Sequence, residues 1–445
     1  MNKKRYLRGI DWIVHTFHHM TERATGVGNL SQIVLELEGA LPPDRLAVAL
    51  DRVVADLPLL AGVPARGWDL CPYWRVPRSA RATDAFEMTS GTRPAGAGMA
   101  DAARALAGNV NTGFTRPSCH LKFQLLYAGD LRSFLGMTFD HRLLDARGAE
   151  SFLELLGAYA DCGATPESAA SIAVTEPSHL NRWADKFRAG RQVNRALLHL
   201  SQRTPVTYAL PPDTARPFVF EVFSFTEAES SRISEDANRK AGYLMFMPYL
   251  LSVTLRAFHE VTVARGTADG NDYVVPVSID ARAAGSRLTE LFFNHPTFLF
   301  FAVTRQEVES PELLCKSLAA QLYEQKKSGL PQCIEAASCL TRIAPLGLMQ
   351  RMVRLPLRGK IGSFCFTCVG GTSFASTLFM GLRIRNVFHL PRVPVPPAIG
   401  LFFSQHQGRL NGVFSCLEGQ MAPENVRLLL RRVREMLVPD AAGGA

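Results

Sequence analysis

No stretch of this 445-residue chain supplies the roughly 20 consecutive apolar residues that a membrane-spanning helix needs. The longest apolar runs, Leu244 to Leu255 and Leu291 to Val303, are interrupted by Pro248 and by Asn294-His295. The opening MNKKRYLRGIDW lacks the apolar segment of a secretory signal, so the sequence predicts a chain that neither spans a membrane nor carries a leader. GxSxG, P-loop and HExxH patterns are missing. Gly26-Val27-Gly28-Asn29 precedes a strand instead of following one, which excludes a dinucleotide-binding turn. The nine cysteines follow no regular framework. Cys365 and Cys368 have CxxC spacing within an apolar run read as a strand, where alternation puts them on opposite faces. They are read as buried thiols, in keeping with a reducing cytosol. Net charge is +9, yet the basic residues are scattered, and the cluster Lys186 to Arg195 holds a single aromatic, Phe187. That is too little for base stacking, so no nucleic-acid partner is expected. His15 and His19 have a metal-compatible spacing without an evident third ligand, so no metal is expected and the segment is read as a surface or groove.

What is present describes a folded chain. Hydrophobic residues make up 47%, charged 20% and aromatic 9%. The length exceeds what one core serves, which predicts two lobes. Residues 30–38 alternate as a strand, and Pro42-Pro43-Asp44 opens a helix carrying Leu46, Leu50, Val53 and Val54 on one face. Residues 66–118 are read as irregular, with GTRPAGAG as a loop. Leu121–Ala128 and Leu131–Phe139 form a hairpin around Gly129-Asp130, followed by a helix from about Arg147 to Ala160. Pro, Ser, Thr and Ala dominate from residue 162, then a basic helical stretch leads to Pro211, Pro212 and Pro217. The second half repeats the grammar. A strand at Phe218–Phe225 precedes a capping signature at Thr226 to Glu229 and two helices. Strands are expected at Tyr273–Ile279, Leu291–Val303, Phe364–Val369, Ile399–His406 and Val413–Leu417. Helices are expected at Pro311–Lys327 and from Pro423. The reading is an α/β chain without strict βαβ repetition. It has an N-terminal lobe 1–178, a crossover 179–217 and a C-terminal lobe 218–445.

The sharpest local feature is Asp140-His141-Arg142-Leu143-Leu144-Asp145-Ala146-Arg147-Gly148, where a strand ends and a helix begins. A rigid strand end presents side chains at the mouth of a sheet. A histidine there is able to take a proton from a hydroxyl, amine or thiol near neutral pH. Asp145, four residues on, is placed to fix the turn.

This stretch resembles the HHxxxDG motif of nonribosomal-peptide condensation domains. It also resembles the HxxxDG motif of plant BAHD acyltransferases and chloramphenicol acetyltransferase. The likeness runs along nearly the whole chain. LSQIVLELEGALPPDRLAVALDRVVADLPLLAG resembles that superfamily's first strand and helix. VVPVSIDAR (274–282), LFFNHPTFLFF (291–301), FCFTCVGG (364–371) and AIGLFFSQHQGRLNGVFSC (398–416) resemble its later strands in order. The resemblance implies two similar chloramphenicol-acetyltransferase-like lobes, α+β in two layers, forming a pseudo-dimer around a central channel. It implies His141 as the catalytic base and Asp145 as the structural aspartate, with Arg282 as the partner of Asp145. Asn294 falls at the usual asparagine, and Thr367 at a serine whose hydroxyl steadies an oxyanion.

The implied activity is acyl transfer, of groups other than aminoacyl ones, in specialised or lipid metabolism. The donor is an acyl thioester on CoA or on a phosphopantetheine carrier supplied in trans, and the acceptor is a small amine or alcohol. No permanently bound cofactor is implied. The implied location is the cytoplasm, with association at a membrane surface left open. Two departures stand out: Asp140 replaces the first histidine, and Ala146 replaces the glycine, with Gly148 two places later. They keep open a catalytically degenerate binding or gating module, and an epimerase- or cyclisation-like activity. Asp140 and Asp145 also resemble the DxxxxD of heterocyclization domains, which lack the histidine.

Overall fold

Residues 30–38 alternate along a strand that is buried on both faces, which requires partners on both sides and layers above and below. A computed structural model describes residues 3–93, 98–129, 131–162, 182–266, 270–282, 290–374 and 376–439 and supplies those partners. The first sheet runs β12 (Leu378–Phe379), β13 (Leu382–Pro391), β2 (Leu30–Glu38), β7 (Arg132–Asp140), β6 (Leu121–Ala128), β5 (Phe86–Arg93). The second runs β10 (Pro296–Thr304), β9 (Asp272–Asp280), β11 (Cys365–Gly371), β14 (Ile399–His406), β15 (Arg409–Leu417), β8 (Phe218–Ser224). A small third sheet, β1 (Lys3–Tyr6), β4 (Pro72–Val76), β3 (Val63–Arg66), covers the N-terminal end. Neighbouring strands are antiparallel except β5–β6, β11–β14 and β11–β9.

Each sheet has its own core. Helices Pro43–Asp56 and Ala146–Cys162 set Leu46, Leu50, Phe152 and Leu156 against the first. Helices Phe246–Arg265, Pro311–Lys327 and Pro423–Leu437 set Leu250, Leu318 and Leu429 against the second. The capping box at Thr226 is formed: its hydroxyl accepts from the Glu229 amide, and the Glu229 carboxylate accepts from the Thr226 amide. A third cluster joins the lobes, with Leu30, Val34 and Phe134 meeting Phe218, Phe220, Val413 and Leu417. Asn386 and Asn411 exchange amide hydrogen bonds of 2.8 and 3.1 Å across this seam. The two lobes therefore share one buried interface.

Several elements differ from the sequence reading. Within residues 66–118, β5 and the helix Met99–Val110 are regular. The polar FEMTSGTR hides an edge strand, and the helix spends Ala102, Ala103, Leu106 and Val110 on the seam. Strand β10 begins at Pro296, so Leu291–His295 is a connecting segment. Gly9–Thr25 is a helix with His15 and His18 buried, not a surface or groove segment. Leu382–Pro391 lies in the later half of the sequence yet pairs with β2 of the first sheet, so a cut at residue 217 does not separate the sheets. The helix Trp183–Ser201 within the crossover packs Leu197 and Leu200 beside Phe300 and Ala302 of β10. Residues 163–181, Asp130 and residues 94–97 of the expected loops lie outside the described residues. Cys365 and Cys368 pack against different clusters, and burial pushes their thiols up to about 12 and about 11.

Candidate active site

Strand β7 ends at Asp140, and residues 141–145 turn over the sheet edge into the helix Ala146–Cys162. From the second lobe, Leu291–His295 arrives alongside. The Phe293 amide donates to the Leu143 carbonyl at 2.7 Å, and Leu144 pairs with Phe293 as a parallel bridge. The loop carrying His141 is thus held by backbone bonds between the lobes.

His141 is half-buried. Asn294 grips it twice: Asn294 Nδ2 donates to the His141 carbonyl at 2.8 Å, and Asn294 Oδ1 lies 3.1 Å from His141 Nδ1. The first bond fixes which end of the amide faces the ring. Only an acceptor then faces Nδ1, so Nδ1 carries the proton, and the neutral ring keeps its lone pair on Nε2. Asn294 is itself fixed: its amide donates to Asp11 Oδ1 at 3.0 Å, and Arg8 donates to its carbonyl. Arg8 and Asp11 sit at the start of helix Gly9–Thr25, where the Asp11 carboxylate also accepts from the Arg8 amide.

Asp145 does not face the imidazole. Its Oδ1 accepts from the Gly148 amide and from Arg282 Nη2, both at 2.8 Å, and its Oδ2 accepts from the His295 amide at 3.0 Å. Burial alone would raise this carboxyl, but the Arg282 guanidinium outweighs it and holds the group at about 2. The Arg282 side chain is 3% exposed and also binds Asp280 and the Glu290 carbonyl. The ion pair therefore ties the loop to the second lobe. A Cβ on Gly148 would overlap the Leu291 carbonyl oxygen. The close approach of the lobes thus falls at Gly148, and Ala146 fits at the first position of the helix.

Behind the loop, Asp140 is fully buried. It accepts from the Arg142 amide and side chain at 2.6–3.0 Å, and His120 Nδ1 lies 3.1 Å away. Burial would raise this carboxyl, and Arg142 and His120 hold it well below the usual range. His18 Nδ1 stands 3.7 Å from Asp140, and burial lowers this imidazole to about 3. Asp140 thus anchors the strand end from inside. On the far side, buried Glu150 accepts from Arg147, from the Ser373 amide and hydroxyl and, at 3.2 Å, from His389. Arg147 also donates to the Val369 and Gly371 carbonyls at the end of β11.

Of the residues singled out in sequence, His141, Asp145, Arg282 and Asn294 meet at one place. Thr367 lies half-buried on β11, and its hydroxyl has no hydrogen-bond partner among the described residues. Sequence reasoning missed Arg8, Asp11, His120, Arg147 and Glu150, which no short motif marks. No group of histidine, cysteine and carboxylate side chains able to hold a metal occurs among the described residues.

No family profile and no curated protein matches the sequence. Solved structures do. TRI3 trichothecene 15-O-acetyltransferase from Fusarium sporotrichioides superposes with a TM-score of 0.71 at 11% identity, over 98% of this chain and 95% of that one. The first condensation domain of the calcium-dependent antibiotic synthetase gives 0.69 at 15% identity, over 98% and 96%. The epimerization domain from the third module of tyrocidine synthetase B gives 0.63 at 12% identity, over 98% and 96%.

Proposed function

We propose that this chain, which has the chloramphenicol-acetyltransferase-like fold, is an acyltransferase that uses His141 as its base. The acceptor's O–H or N–H loses its proton to His141 Nε2 as its lone pair attacks the thioester carbonyl carbon. The carbonyl electron pair moves onto oxygen and forms a tetrahedral oxyanion. Collapse re-forms the carbonyl and breaks the C–S bond. The proton on Nε2 passes to the departing thiolate. No acyl-enzyme forms, so kinetics are sequential. The Thr367 hydroxyl is the group proposed to donate to the oxyanion. The donor is an acyl group on CoA or on a carrier's phosphopantetheine arm, and the acceptor is an amine or alcohol.

The observation that carries this reading is the Asn294 clamp. It commits Nδ1 as donor and leaves the lone pair of a half-buried neutral imidazole on Nε2. A carboxylate behind the ring would favour a lasting imidazolium, whereas a neutral amide suits a base that returns its proton within one turnover. Asp140 in place of a histidine is compatible with this reading, because Asp140 is a buried anchor and not a surface group. It does not by itself point to a degenerate binding or gating module.

The test is thiol release from a panel of acyl-CoA and acyl-carrier donors, with amine and alcohol acceptors. Acceptor-dependent release by the wild type that falls by about 10²–10⁴ in His141→Ala supports the base. Release unchanged in the variant removes it. A wild type that binds donors but transfers from none would instead identify a binding module.

A further inference from the structure

Large apolar side chains stand in solvent on the small sheet and on the segment 342–355 that is tied to it. Trp68, at the tip of the β3–β4 hairpin, is 97% exposed, and Leu70 beside it is half exposed. The tip is tied to that segment: Arg66 Nη2 donates to the Leu70 carbonyl at 2.9 Å and to the Ile343 carbonyl at 2.6 Å. Trp12 Nε1 anchors the next residue through the Ala344 carbonyl at 2.9 Å. The helix Leu346–Arg354 starts from this point. It sends Met349 into the first core, while Leu348, Met352 and Leu355, spaced i, i+4 and i+7, form one outward stripe. Leu355 is 78% exposed, and Ile343 is also exposed.

The segment that carries this stripe holds charge of one sign. Between Glu335 and Glu418 the sequence contains no Asp or Glu. Arg342, Arg351, Arg354 and Arg358 lie within that span beside the stripe, and none of them forms an ion pair with a carboxylate among the described residues. The one carboxylate at the hairpin tip, Asp69, accepts from the Cys71 amide. An apolar stripe near an exposed tryptophan, accompanied by arginines that form no ion pair, fits a bilayer interface better than a protein groove. The apolar groups enter the acyl boundary and the guanidinium groups meet lipid phosphates.

We propose that this face, from Trp68 along Leu348, Met352 and Leu355, seats the protein on an anionic lipid surface. The chain then lies on the membrane without crossing it. No single described helix is long and apolar enough to cross.

The experiment is flotation of the full chain with phosphatidylcholine vesicles, with and without about one third phosphatidylglycerol. The readout is binding, so it stands or falls independently of acyl transfer. Wild type is expected to float only with anionic vesicles, less at high salt. Leu348→Glu/Leu355→Glu and Arg351→Glu/Arg354→Glu should each weaken partitioning by about tenfold or more with unchanged melting. Trp68→Phe should remove most of the vesicle-induced blue shift in tryptophan emission. Absence of flotation at low salt overturns the proposal, as does flotation unaffected by both double variants. Loss seen only in Arg188→Glu/Arg191→Glu moves the contact to the helix Trp183–Ser201 and overturns it too. So does a wild type that ignores vesicles but dimerises through Leu355.

Discussion

β6–β7 in the first lobe and β14–β15 in the second are the same construction. Each hairpin has its sheet's earliest strand along its second strand, β2 or β8, and a parallel strand along its first, β5 or β11. Each second strand leads through a turn, residues 141–145 or 418–422, into a helix packed on its own lobe. The turns then diverge. The first meets Arg282 and Leu291–His295 of the other lobe through His141, Leu143 and Asp145. The second closes on its own lobe: Glu418 donates its amide to Pro217, and Gln420 donates to the Pro397 carbonyl. The strand-end scaffold occurs twice, and chemistry is assigned only where the opposite lobe completes it.

Substitutions that treat the turns as equivalent test this contrast. The largest difference is expected between His141→Ala and Glu418→Ala. The first should lower acyl transfer by about 10²–10⁴ without a change in melting temperature, and the second should leave both unchanged. Next comes Arg282→Ala, which leaves Asp145 buried beside no cation. A loss on the order of 3 kcal/mol in urea unfolding is expected, with activity falling alongside.

The acid limb is smaller. Asp145 sits at about 2 when folded, below its usual value, so its contribution is complete above pH ~4 and disappears as pH falls through about 2. Urea unfolding between pH ~5 and ~2 should show a loss on the order of 2 kcal/mol from this group, and Asp145→Asn should flatten that part of the profile. Glu150, also held at about 2 against burial by His389 and Arg147, adds a parallel loss. The smallest effect separates the two glycines. Gly148→Ala must push Leu291 away and should cost about 1–2 kcal/mol together with activity. Gly419→Ala strains a backbone at φ +79° and should cost about 1 kcal/mol with activity intact.

Much of the second-lobe contribution was readable only through the resemblance of its strands to those of a known superfamily, which marked Arg282 and Asn294. Asn294-His295 breaks the run Leu291 to Val303, and Arg282 follows Asp280 at the end of β9. The inside of the site was not readable. Asp140 looks like a damaged motif in sequence, but with Arg142 and His120 it is a satisfied buried carboxylate. Arg8 and Asp11 lie more than 280 positions from Asn294, and nothing in the local pattern pairs them. Alanine-rich Met99–Val110 carries a weak local signal because its place is set by the seam, and polar β5 does so because it is an edge strand paired with β6 alone in its sheet.

Local chemistry alone determined the hairpins, the helix following each, and a histidine delivered at a strand end, since alternation, helical spacing and capping act within a few residues. The tertiary structure decided which lobe β13 joins, which nitrogen of His141 keeps the lone pair, and that Asp145 binds Arg282 instead of the imidazole. Those outcomes depend on groups far apart in the chain, and only packing the two sheets against one seam brings them within hydrogen-bonding distance.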